Sequence, residues 1–124
     1  MMESLQAIAS ELIQVDGNIW GVCVVNNSGQ IVYQTDNWDL SGDIGAIMGL
    51  TEGVGSIELV GIRYVVVENI PERVIGTNVT GKGHVIICPA AGKGKVVCYV
   101  KPDASPREAV LNAMNYSRKI GDYL

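Results

Sequence analysis

The sequence predicts an α+β fold: one antiparallel sheet, with helices from the two chain ends on one face and a short helix on the other. Three observations carry this. Residues 57–101 are almost continuously strand-like, running IELVGIRYVVVEN, ERVIGTN, GHVIICP and KVVCYVK, with β-branched and aromatic residues dominating each run. The interruptions (Ile70-Pro71, Thr80 to Gly83, Ala90 to Gly94) are short and hold the Gly and Pro that tight turns require. Short strands with short connections make an antiparallel meander. Helical spacing appears at both ends and briefly in the middle, and amphipathic helices must bury their apolar stripes against that sheet.

Each element has its own signal. Ser4 precedes a helix in which Leu5, Ile8, Ala9, Leu12 and Ile13 recur at helical spacing; it stops near Val15, before the turn residues Asp16-Gly17-Asn18. Ile19 to Val25 is an apolar run of strand length, Asn26 to Gly29 a hairpin loop, and Gln30 to Thr35 the returning strand. Asp36 to Asp39 is a polar loop around Trp38. Ser41 with Asp43 reads as the cap of a short helix, with Ile44, Ile47, Met48 and Leu50 facing the sheet and Gly45 and Gly49 weakening it. Four or five strands then follow. Ser105 and Pro106 open a last helix, Arg107 to about Tyr123, with Val110, Leu111, Met114 and Ile120 available for burial.

Composition narrows the function classes. A length of 124 residues is read as one domain, 1–124, and 48% hydrophobic residues fit a globular protein. No apolar run approaches the ~20 residues of a membrane span, and the acid in MMESLQAIAS stands where a secretory signal carries bases. Cys23, Cys88 and Cys98 all lie in apolar strands without metal-ligand spacing, which favours reduced thiols in a cytoplasmic protein over a Cys88–Cys98 bridge. Net charge is −4, which argues against nucleic acid as a partner. Residues 1–60 hold eight acids and no base, whereas residues 61–124 hold nine bases against five acids. Such sorting either steers a partner or reflects chance on a solvated surface.

Catalytic constellations are not visible. His84 is the only histidine and opens a strand after Gly83, a setting in which hydrogen-bonded structural histidines outnumber catalytic ones. Thr80 to His84 and Gly92 to Lys95 look like phosphate loops, but neither has P-loop spacing nor leads into a helix, so both read as hairpin turns with exposed lysines. No cofactor is implied. Trp20 and Tyr99 sit in apolar strands and read as core. Tyr116 and Tyr123 are seven apart on the last helix and share a face, placed either to pack on the first helix or to hold a stiff proline-rich segment against their rings.

In element order, nearly the whole chain resembles a profilin. Residues 57–67, IELVGIRYVVV, are similar to the family's "L-x-L-G-G-x-K-Y-x-V-I" segment. Val74-Ile75 followed by Gly81-Lys82-Gly83-His84-Val85-Ile86-Ile87 resembles its "V-I-R-G-K-K-G-x-G-G-I-x-I" hairpin. Tyr99-Val100 and Ser105-Pro106 stand where the family has "G-I-Y" and "T-P". Val25 to Gln34 resembles "V-G-x-D-G-x-V-W-A-Q", Ile44 to Met48 resembles "I-x-x-I-M", and the ending KIGDYL is similar to "R-L-G-D-Y-L". The resemblance implies a profilin-like fold and reversible binding of monomeric actin, without chemistry of its own.

By position, the resemblance picks out Arg63, Val65, Glu68, Gly76, Asn78, Lys82, Arg107 and Glu108 as actin-facing. The family's bases in the hairpin fall on Gly76 and Asn78, so the face is less positive than usual. Its proline-rich site maps onto Leu5, Ile8, Tyr33 and Tyr123; Leu5 and Ile8 replace a Trp and a Tyr, which implies weak or absent binding of proline-rich peptides. Phosphoinositides would require Lys82, Lys93, Lys95 and Lys101 to cluster, which the acidic total disfavours. The missing aromatics point to a divergent member of archaeal type. The alternative is a roadblock or longin-like domain, a dimeric scaffold for small GTPases, which has three strands after its middle helix. A small-molecule sensor on the same scaffold is a third reading and needs an internal cavity.

Overall fold

Ser4 opens helix α1 (Leu5–Val15): its hydroxyl accepts the Ala7 N–H at 3.1 Å, and Ile8, Ala9 and Leu12 form the buried stripe. The computed structural model describes residues 4–51 and 53–124, so Glu3 and Glu52, two acids of the first half, lie outside the described residues. The chain continues through β1 (Ile19–Asn26), β2 (Ile31–Gln34), α2 (Ile44–Met48), β3 (Ser56–Leu59), β4 (Ile62–Ile70), β5 (Arg73–Thr77), β6 (His84–Pro89), β7 (Gly94–Val100) and α3 (Pro106–Gly121). The strands of the described residues form one sheet in the order β2-β1-β7-β6-β5-β4-β3, antiparallel throughout.

Strand alternation divides the core into two layers. Val22, Val24, Ile86, Cys88, Val96 and Cys98 point toward α1 and α3, where they meet Ile8, Leu12, Ala109, Ala113 and Ile120. Their neighbours Cys23, Val25, Val85, Ile87 and Val97 point the other way, against Trp38, Leu40 and Ile47 from the segment containing α2. The terminal helices thus share one face and the middle helix covers the other, as the sequence predicts.

Several local expectations are corrected. The 57–69 run is two strands, because Val60 and Gly61 take positive φ (52° and 75°) and close a two-residue hairpin. Asp43 stands at the N-cap of α2 but makes no side-chain cap bond; its carboxylate instead accepts the Val60 N–H at 2.9 Å, while the Ser41 hydroxyl bonds to Asp39. Met48 and Leu111 are exposed rather than buried, each lying on the solvent side of its helix. Trp20 is 51% exposed, because the β1–β7 register shifts between Ile19 and Gly21 and leaves it out of the alternation. Tyr99, also read as core, is half-buried. Helix α3 ends at Gly121, so Tyr123 shares no helical face with Tyr116: Tyr116 packs on the core and Tyr123 is exposed. A Cβ at Gly121 would lie 2.6 Å from the Ala90 carbonyl, so that turn packs closely on the β6–β7 connection.

Candidate functional site

Beside the part of the sheet that α1 and α3 pack on, β4 and β5 meet the first turn of α3 through charged side chains. Ser105 accepts the Arg107 N–H at 3.3 Å and fixes the first turn of α3. From that turn, Arg107 reaches β4, with Nη1 3.4 Å from Glu68 Oε2. Glu68 also receives both arms of Arg73, at 2.8 Å and 3.3 Å. This fork-on-carboxylate pairing is the strong form of an ion pair. Hydrogen bonding by the Arg73 guanidinium holds the Glu68 carboxyl below its usual value, with Arg107 adding to the effect. Three charged side chains therefore tie β4, β5 and α3 into one plate. Glu108, beside Arg107, is exposed and complements the positive end of the helix.

At the opposite end of β4 and β5, the β5–β6 connection forms the other end of this surface. Asn78 Oδ1 accepts the Thr80 and Lys82 N–H groups at 2.9 Å and 3.1 Å, and its amide donates to the Arg63 carbonyl at 2.8 Å. Its side chain is thus spent on organising the loop. Arg63 and Lys82 are exposed, Val65 is half-buried opposite Thr77, and Gly76 is buried opposite Val66. A Cβ at Gly76 would come within 2.9 Å of the Tyr64 Cβ, so packing accounts for the missing side chain. The structure thus brings Arg63 to Asn78 and Glu68 to Arg107, while Gly76 contributes no side chain. Sequence reasoning missed Arg73. Its signal was a pair of opposite charges flanking Ile70-Pro71, a turn that brings Glu68 and Arg73 together across β4 and β5.

The positions mapped to proline-rich recognition are arranged differently. Leu5, Ile8 and Tyr33 pack into the α1–α3 core, and Tyr123 stands exposed beyond α3. Ring pairs among the described residues instead centre on Tyr99, with Trp38 at 5.8 Å and Trp20 at 6.5 Å. The four lysines considered for phosphoinositides are dispersed. Lys82 precedes β6 and Lys93 follows it, Lys95 donates to the Ile47 carbonyl at 3.1 Å, and Lys101 pairs with Asp103.

Reactive groups are quiet. His84 Nδ1 lies 3.0 Å from Thr77 Oγ1, a cross-strand contact. All three cysteines are free and buried; burial pushes Cys23 up to about 12 and Cys88 to about 11, and Cys98 also rises, which suppresses the reactive thiolate. Among the described residues, no helix is long and apolar enough to cross a membrane.

Fold and surface together define a small layered α+β module that carries a charged plate across β4, β5 and the start of α3. No family model matches the sequence. It is 37% identical over 134 residues to Loki profilin-1 and 40% identical over 130 residues to Loki profilin-2, both of Lokiarchaeum sp. (strain GC14_75). The first alignment covers 100% of both chains and the second 97% of each. A chain of the solved LokiProfilin2/rabbit actin complex matches with a TM-score of 0.91 and 39% identity over 100% of both chains. The chain belongs to the profilin family. Five strands follow α2 in the described residues, which disfavours the roadblock alternative and its three.

Proposed function

We propose that this profilin binds monomeric actin one to one, as a cytoplasmic regulator of actin polymerisation without chemistry of its own. The docking surface runs from Arg63 and Lys82 at the loop end to Glu68, Arg107 and Glu108 at the helix end, with Val65 between. The observation that carries the proposal is the whole-length match to a relative solved with rabbit actin. The plate supports it physically: exposed cations at both ends suit an acidic partner surface, and the Glu68 network holds the helix end rigid. Binding of proline-rich peptides is weak or absent in this proposal, because Leu5 and Ile8 offer no rings, Ile8 being buried in the core and Leu5 half-buried against it.

Sedimentation velocity with purified rabbit actin monomers tests it. A single heavier boundary at one-to-one stoichiometry is expected. Two species sedimenting independently across the micromolar range would contradict the proposal.

A further inference from the structure

We propose that Tyr99 is a positioning residue for Lys82, acting on the docking surface from beneath without touching the partner; this rests on the actin-docking reading above. Lys82 is an exposed lysine in a surface loop, yet side chains grip its backbone at both polar groups. Its N–H donates to Asn78 Oδ1 at 3.1 Å, and its carbonyl accepts the Tyr99 hydroxyl at 2.7 Å. The loop closes behind it, with the Asn78 N–H donating to the Gly83 carbonyl at 3.0 Å.

The sequence around Tyr99 is shaped to permit this grip. Gly83 has φ +111°, and a Cβ there would fall 2.5–2.7 Å from atoms of the Tyr99 ring and hydroxyl, so the loop can rest on the tyrosine only without a side chain. The ring is steadied by Trp38 and Trp20 at 5.8 Å and 6.5 Å. Trp38 in turn lies over Gly21, where a Cβ would be 3.0 Å from its ring. Strand β7 holds Tyr99 between Gly21 of β1 and Val85 of β6. The result is a rigid aromatic post ending in one hydroxyl under one carbonyl. A lysine with a fixed backbone and a free head loses less freedom on docking than one on a loose loop.

The test is a double-mutant cycle on actin-monomer affinity with Y99F, K82A and the pair, together with amide hydrogen exchange at Lys82. Y99F keeps the ring and removes only the hydroxyl. It is expected to weaken binding about five-fold, in line with one lost hydrogen bond, and to speed Lys82 exchange. The pair should bind no worse than K82A alone, because positioning is worthless once the side chain is gone. If K82A weakens binding while Y99F leaves affinity and exchange unchanged, or if the two penalties multiply, the positioning role is overturned and the docking reading stands. If the unmutated protein forms no complex, the docking reading falls and takes this role with it.

Discussion

Glu68 accepts from two arginines on two different elements, so its ionisation state bears on both. Its folded value is lowered by Arg73 first and Arg107 second. A lowered carboxylate contributes stability that is complete above its unfolded value, near 4.5, and is lost as pH falls through the lower folded value. Thermal unfolding of the unmutated protein and E68Q should therefore differ by a constant margin above about pH 5 and converge on acidification. Parallel curves down to pH 2 would show that the network contributes nothing through charge. The caps at Ser4 and Ser105 were legible in the sequence because a cap depends on its neighbours alone. The Glu68–Arg107 pair, 39 residues apart, was reachable only through the family resemblance, which named both residues without pairing them.

At the level of elements, the strands were legible because alternation imprints burial directly on the sequence. The β3–β4 turn was hidden because valine, a strong strand former, occupies a left-handed position at φ 52°. That conformation costs a β-branched residue about 1–2 kcal/mol. Val60 is exposed, and asparagine before glycine is the preferred pair in such hairpins. V60N should therefore stabilise the protein by about 1 kcal/mol, raising the melting midpoint by about 4 °C. A lower midpoint would mean that the valine side chain gives more in packing than its backbone loses. Trp20 was misread for the converse reason: an apolar run does not reveal a register shift, and a bulge turns one residue outward. Leu111, 69% exposed one turn beyond Arg107, escaped because helical spacing marks a face without saying how much of it the neighbouring sheet covers.

For the whole molecule, the sheet buries three thiols in two layers, and this sets its behaviour at high pH. Raised thiols contribute stability that is complete below the unfolded value of 9.0 and fades as pH rises toward the folded values of about 11 and 12. Stability should fall above pH 9 more steeply in the native protein than in a triple Cys→Ala variant, as followed by urea unfolding; equal slopes would contradict full burial of the thiols. Layering and element order came from periodicity alone, whereas the docking surface came from resemblance, since exposed charges leave no periodic trace. What the structure adds is their joining into one plate, from the Asn78 loop to the Glu68 network. The most direct measurement is the actin-monomer affinity of the R63E/R107E double variant, with circular dichroism verifying its fold. Reversing both cations is expected to weaken binding at least ten-fold while the fold is retained. A well-folded double variant that binds as tightly as the unmutated protein would place the interface on another face and contradict the proposed docking surface.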